Sequence, residues 1–258
     1  MQPFAVVTGA SSGIGFELAR QFHDNGFDVM VAAEDDAIHA AAAELGAEPV
    51  QVDLAVPEGV EALYARIVET GRPADALALN AGIAMGGEFA DGTDLRQELR
   101  IVDLNCRSTV HLAKLVLRDM KRRNAGRILI TSSIASTMPG TYQAVYNASK
   151  SFDQAFGLAL RQELEGTGIT VTVLMPGPTD TELFERADME DTPIGQGPKD
   201  DPADVARDGF EALMAGKERV VSHSLKTKLQ GRGSRLMPDR AKAAMHGKQA
   251  EPGAGKRS

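Results

Sequence analysis

A doubly wound α/β fold, with a parallel sheet covered by helices on both faces, is the class this sequence predicts. Short apolar runs alternate with amphipathic stretches of ten or more residues, the rhythm of βαβ units joined by right-handed crossovers. A glycine cluster stands at the first junction between run and stretch. The chain has 258 residues, enough to bury the core of one such domain.

The first strand is Phe4-Ala-Val-Val-Thr8, a buried apolar run ended by Gly9. A helix with Ile14, Leu18 and Phe22 on one face follows, closing at Asn25-Gly26. Residues 28–32 form the second strand. The alanine-rich stretch 35–45 is helical and stops at Gly46, and residues 48–52 are the third strand. Pro57 opens a helix running to Glu69, because the first turn has no use for the amide hydrogen that proline lacks. Residues 75–79 are the fourth strand. The stretch 95–124 reads as two helices meeting at Leu104-Asn105. A strand over 127–131, a long helix over 142–167 and a strand over 170–175 come next, the last ended by Pro176-Gly177-Pro178. Residues 179–202, rich in Asp, Glu, Gly and Pro, read as a mobile flap with one short helix. Past Gly216 no final strand is recognisable. The expectation is one Rossmann-type domain over 1–216, with a divergent basic extension over 217–258 that is disordered from about Glu251.

Composition narrows the function. The 43% hydrophobic and 25% charged residues are those of an ordinary globular chain. No apolar stretch approaches the roughly 18–20 residues of a membrane span. Met-Gln-Pro-Phe-Ala-Val-Val has no basic region ahead of its apolar residues, so no signal peptide is expected. Cys106 is the one cysteine, which excludes an internal disulfide and suits a cytoplasmic protein. His23, His39, His111, His223 and His246 show no metal-ligand spacing, so no metal is expected. A net charge of −8 argues against nucleic acid as a partner. From Lys217 on, however, Arg219, Lys226, Lys228, Arg232, Arg235, Arg240, Lys242, Lys248, Lys256 and Arg257 face only Glu218, Asp239 and Glu251. The basic tail reads as a solvated segment lying on its own acidic body or on a sister subunit.

The glycine cluster is Thr8-Gly9-Ala10-Ser11-Ser12-Gly13-Ile14-Gly15. At a strand-to-helix junction such glycines let the backbone approach a pyrophosphate, which sits on the positive helix N-terminus. After the second strand comes Ala33-Glu34. Glu34 can accept hydrogen bonds from adenosine ribose hydroxyls, and with Asp35 and Asp36 it repels a 2′-phosphate. NAD is therefore expected ahead of NADP, which is not excluded.

Three further segments carry chemistry. Tyr146 and Lys150 are four apart and share a helix face. A free tyrosine, with a pKa of about 10, is a poor base at neutral pH. A nearby ammonium favours the phenolate, and a depression of ~3 units corresponds to about 4 kcal/mol, reachable in a partly dry site beside a cationic nicotinamide. Ser133, in Thr131-Ser-Ser-Ile-Ala-Ser136, can hydrogen-bond a substrate oxygen. Asn80-Ala81-Gly82 ends the fourth strand.

With the glycine loop, these motifs resemble the short-chain dehydrogenase/reductase family over roughly residues 4–180. The resemblance implies a hydride-transferring oxidoreductase acting on an alcohol/carbonyl pair, with Asn105, Ser133, Tyr146 and Lys150 as catalytic set and Tyr146 as acid/base. It implies that Lys150 also holds the nicotinamide ribose and that Asn105, in Asp103-Leu-Asn-Cys106, links the lysine to solvent through a water. Cofactor contacts are expected at Gly9, Ser11, Ser12, Gly13, Ile14, Gly15 and Glu34. Asp53 and Leu54 fall at the adenine, Asn80, Ala81 and Gly82 at the adenosine ribose, and Pro176, Gly177, Thr179 and Thr181 at the nicotinamide. There are departures. The acidic residue falls at Glu34, one position later than most NAD-using members place it, and Leu79 replaces a frequent asparagine.

Ile134, Met138, Tyr142, Leu183, Phe184 and Met189 are placed to line a moderately apolar pocket for a small alcohol, ketone or aldehyde. The two long helices are the usual dimer face of the family, so a homodimer or higher homo-oligomer is expected. The rival reading is a non-catalytic dinucleotide-binding sensor or scaffold whose tail contacts a partner. A third is an epimerase or dehydratase on the same scaffold.

Overall fold

The computed structural model describes residues 2–222 and 238–255. His223, Lys226, Lys228, Arg232, Arg235, Lys256 and Arg257, all named above, lie outside the described residues. Seven parallel strands form one sheet in the order β3-β2-β1-β4-β5-β6-β7. They are β1 (Phe4–Thr8), β2 (Asp28–Ala33), β3 (Glu48–Gln51), β4 (Ala76–Leu79), β5 (Gly126–Thr131), β6 (Ile169–Met175) and β7 (Arg219–Val221). Helices α1 (Gly13–Asp24), α2 (Ala37–Leu45) and α3 (Pro57–Glu69) connect the first four strands. Then come α4 (Leu95–Ile101), α5 (Thr109–Arg123), α6 (Ala144–Glu163), the short α7 (Leu183–Arg186) and α8 (Pro193–Gln196), α9 (Pro202–Met214) and α10 (Asp239–Ala250).

Alternation along each strand divides the core in two. Val6, Met30, Leu77, Ile128 and Val171 face Val60 and Leu63 of α3 and Leu112 and Val116 of α5. Their neighbours Val7, Val31, Ala78 and Leu129 face the other way, onto Leu18 and Phe22 of α1, Ile38 of α2 and Phe210 of α9. Phe22, Phe27 and Phe210 meet edge to face, with centroids 5.2 to 6.5 Å apart. Each such buried side chain contributes about 1.5–3 kcal/mol, which is why both faces must be covered.

Three expectations are corrected. A final strand does follow Gly216: β7 pairs in parallel with β6, Val173 opposite Arg219 and Met175 opposite Val221. It is too short to give a periodic signal, and it opens on the first arginine of the basic stretch. The long stretch 95–124 does not break at Leu104-Asn105; it widens into a π-helical segment, Val102–Ser108, and continues into α5. Ser108 and Thr109 donate their hydroxyls to the carbonyls of Leu104 and Asn105, the i−4 back-bonding by which such side chains distort a regular helical turn.

The third correction concerns the flap and the residues after Pro238. Two short helices form in the flap, and Phe184, Ala187 and Met189 are buried with Ala250 of α10. Residues from Glu251 to Gly255 have a defined course: the Gly255 amide donates to the Asp191 carbonyl at 2.7 Å. Isolated apolar residues in a polar segment carry no period, so only packing against a distant helix orders them.

Candidate active site

The strand order reverses between β1 and β4, and their C-terminal ends are tied together there. Thr8 Oγ1 accepts from the amides of Asn80 and Ala81 at 3.0 and 3.1 Å. Asn80 Nδ2 donates to the carbonyls of Thr8 and Gly9 at 3.2 and 3.3 Å. Gly9 has φ +65°, and a side chain on Gly15 would collide with the Gly9 carbonyl, so the turn admits no larger residue at either place. Helix α1 starts at Gly13 with no side chain capping its free amides, an arrangement suited to an anion.

From this turn a cavity of about 950 Å³ runs along the C-terminal ends of the strands. Gly9, Ser11, Ser12, Gly13, Ile14, Gly15, Glu34, Asp53, Leu54, Asn80, Ala81 and Gly82 line one end. Ser133, Tyr146, Lys150, Pro176, Gly177, Thr179 and Thr181 line the other, with Ile134, Met138, Leu183, Phe184 and Met189. Two residues singled out in the sequence are not on the wall. Tyr142 packs against the small Phe184 cluster. Asn105 is fully buried behind the wall.

Lys150 is buried, with Nζ donating to the Thr131 carbonyl at 2.9 Å and to Asp153 Oδ2 at 3.1 Å. Burial works to lower its pKa, but the charges of Asp153 and Tyr146 and the bond to Asp153 outweigh this, and the net direction is up. The lysine is held as an ammonium. Asn105, on the π segment, donates to the Ile83 carbonyl at 3.0 Å and to Ser149 Oγ at 2.9 Å, and accepts from the Ile83 amide at 3.0 Å. It clamps the loop after β4 to α6. Ser133 Oγ accepts from the Ala135 amide at 3.1 Å and donates to the Pro176 carbonyl at a long 3.4 Å, so its proton is weakly committed.

Several lining residues gave no sign in the sequence. Arg100 of α4 reaches the glycine-turn end of the cavity, where it pairs with Glu34 and donates to Asp53 Oδ2 and Oδ1 at 3.0 and 3.1 Å. The bonds to Asp53 lead the causes that raise its pKa. Arg186 of α7 stands 3.9 Å from Asp35. These partners are far apart in sequence, and no local pattern joins them. Met245, His246 and Gln249 of α10 close the opposite end.

His246 is buried and bonds through Nδ1 to the Thr141 carbonyl at 2.9 Å. Burial lowers its pKa from 6.5, against the opposing effect of that bond. A histidine kept neutral by the fold stabilises it fully above the unfolded value, and that stability is lost as pH falls through the lowered folded value. Amide exchange in α10, corrected for its intrinsic pH dependence, is therefore expected to quicken as pH falls below the ordinary histidine value of 6.5. In His246→Gln the difference should vanish.

A glycine turn at a helix N-terminus, acidic groups beside it and a tyrosine–lysine–serine set at the far end of the cavity together define a nicotinamide-dependent oxidoreductase. The residues present fit such a cofactor: the turn leaves no room for side chains, the helix amides are uncapped, and the cavity joins both ends. The sequence pattern of the family described as short chain dehydrogenase matches residues 3–191. This chain belongs to that family, whose reaction interconverts an alcohol and a carbonyl.

Among relatives, the NADP-dependent 3-hydroxy acid dehydrogenase YdfG of Salmonella typhi is 33% identical over 175 residues, 67% of this chain and 71% of the relative. A short-chain dehydrogenase from Sphingobium yanoikuyae in complex with NADPH superposes with a TM-score of 0.79 at 27% identity, covering 90% of this chain and 93% of the other. A 3-ketoacyl-(acyl-carrier-protein) reductase from Brucella melitensis complexed with NADH gives a TM-score of 0.74 at 26% identity, covering 85% and 96%. No described helix is long and apolar enough to cross a membrane, and the described residues hold no metal-binding cluster of His, Cys, Asp or Glu.

Proposed function

We propose that the chain interconverts a small, moderately apolar alcohol and its ketone or aldehyde, with Tyr146 exchanging the proton on the substrate oxygen. The observation that carries this is the meeting of Ser133, Tyr146 and Lys150 at one end of a cavity whose other end is the glycine turn. In the oxidising direction the alcohol gives up its oxygen-bound proton to Tyr146. Lys150, a buried ammonium, lowers the cost of negative charge on that phenol. Ser133 turns its weakly held proton from the Pro176 carbonyl to the substrate oxygen and steadies it. Asn105 positions the loop at Ile83 and, through Ser149, the helix that bears Tyr146 and Lys150. Accepting or giving the hydride is the chemistry that the nicotinamide supplies when bound. Glu34, Asp53, Leu54, Asn80 and the loop from Gly9 to Gly15 would hold its adenosine and pyrophosphate. Pro176, Gly177, Thr179 and Thr181, with Tyr146 and Lys150, would hold the nicotinamide half.

NAD(H) is the preferred carrier in this reading. Relatives include proteins named for NADP or bound to NADPH or NADH, so the choice falls to the chain's own residues. Glu34, Asp35 and Asp53 gather at the adenosine end, and both arginines there, Arg100 and Arg186, are already engaged by carboxylates. A dianionic 2′-phosphate meets surplus negative charge, whereas ribose hydroxyls find acceptors. Titration of the protein with NADH and NADPH, followed by nicotinamide fluorescence, is expected to show NADH binding at least about tenfold tighter, which corresponds to about 1.4 kcal/mol. Tighter NADPH would reverse the assignment; binding of neither would overturn the reaction proposed here.

Val110 on α5 and Phe152 on α6 are exposed apolar residues on the two long helices expected to pair two subunits, which supports a homodimer. A cytoplasmic site of action accords with a cofactor drawn from the intracellular nicotinamide pool.

A further inference from the structure

Asp153 lies one turn beyond Lys150 on α6, only 2% exposed, with Oδ2 on the ammonium at 3.1 Å. Its other oxygen, Oδ1, is buried with no hydrogen-bond partner, and so is Thr131 Oγ1 on β5. A carboxylate left half satisfied in a buried place is costly, and its pairing with the ammonium offsets only part of that cost. A surface ion pair would be screened, but this one is almost wholly buried and acts on the same ammonium that the proposed chemistry needs.

We propose that Asp153 is a positioning residue that holds Lys150 and offsets part of its charge, setting the pH at which Tyr146 ionises. The inference rests on the role proposed for Tyr146 and deepens it. Lys150 faces two anions in turn, the fixed carboxylate of Asp153 and the phenolate of Tyr146 that forms during reaction. The negative potential of Asp153 adds to the positive potential of Lys150 at Tyr146 and offsets part of it. The pair Tyr146–Lys150 therefore loses its first proton at higher pH than it would beside a neutral residue, because a fixed negative charge opposes proton loss from either member.

The surroundings contain few competitors. Cys106, on the π segment, is a further titratable group that interacts with Lys150 and Asp153. Burial first, then the charge of Asp153, pushes its thiol up to about 11 against the pull of Lys150, so it stays neutral at working pH. Helix α4, also packed against α6, carries the buried carboxylate Glu98, which makes none of the Lys150 contacts. From β5 and the π segment the neighbours are the uncharged Thr131, Asn105 and Ser149 on α6.

The test is a pH titration of tyrosinate absorbance in the cofactor-free protein, with the Tyr146→Phe spectrum subtracted to remove Tyr64 and Tyr142. Asp153→Asn and Asp153→Ser are expected to move the Tyr146 midpoint to lower pH by about one unit or more, and Asp153→Glu to leave it within a few tenths. The glutamate shares any packing defect but keeps the charge, so it separates the two effects. An unmoved midpoint in a folded neutral variant, or an upward shift, would overturn the proposal, as would a glutamate variant behaving like the neutral ones. Because the readout needs no turnover, its failure is distinct from failure of the proposed reaction, which would show as no oxidation of 2-octanol or 1-phenylethanol with either coenzyme.

Discussion

Replacing Tyr146 by phenylalanine is expected to lower turnover by on the order of a hundred- to ten-thousandfold, the range for loss of a general acid/base. Cofactor affinity should fall far less than turnover, since the glycine turn, the acidic end of the cavity and Lys150 are untouched. The ring is partly buried against the Phe184 cluster, and phenylalanine keeps that packing while removing only the hydroxyl. The consequence falls on kcat rather than on KM, because the hydroxyl is needed only as charge develops on the substrate oxygen. Stopped-flow nicotinamide fluorescence on the variant separates binding from chemistry. Full activity in Tyr146→Phe would show that another group carries the proton.

Lys150→Met is expected to cost stability as well as activity, which distinguishes it from the tyrosine variant. Lys150 and Asp153 are 5% and 2% exposed, and removing one partner of a buried pair leaves the other charge uncompensated, at about 3–5 kcal/mol. For a chain of this length that lowers Tm by roughly 10 °C at neutral pH. The deficit should depend on pH in a direction set by Asp153. Burial already raises this carboxyl above its ordinary value against the pull of Lys150; without the lysine it rises further. A carboxyl whose folded pKa lies above its unfolded value costs nothing below the unfolded value, and the penalty enters as pH rises through the folded one. The variant should therefore approach the wild type in acid and fall away towards neutrality. Adding Asp153→Leu to Lys150→Met should recover most of the lost stability, since an apolar pair of similar volume avoids both desolvation costs. Calorimetry across pH checks each statement, and a pH-independent deficit would mean the loss is one of packing alone.

The legibility of the site follows the range of the interactions that build it. The glycine turn could be read because a strand end, a tight turn and a helix start are neighbours in sequence, and their steric demands fall on adjacent residues. Tyr146 and Lys150 could be read because a helix places residues four apart on one face. Arg100 could not: it meets Asp53 and Glu34 across 47 and 66 residues, and an arginine in an amphipathic helix looks like any solvated charge. Asp153 is a parallel case, since a carboxylate three residues past a lysine reads as a surface pair until the helix is seen buried.

For the larger architecture the division is similar. Alternation of apolar period determined by itself that strands and helices would alternate and that the sheet would be parallel, because burial on both faces demands continuous apolar strands. The lengths of the helical stretches, the proline and glycine boundaries and the position of the cofactor turn were likewise local matters. Tertiary structure alone decided that Arg219–Val221 joins the sheet, that residues 95–123 remain continuous through a π segment, and that the flap is held by Met189, Phe184 and Ala250. A three-residue strand, a widened helical turn and scattered apolar side chains carry no period of their own. Their free energy comes entirely from partners brought close by folding.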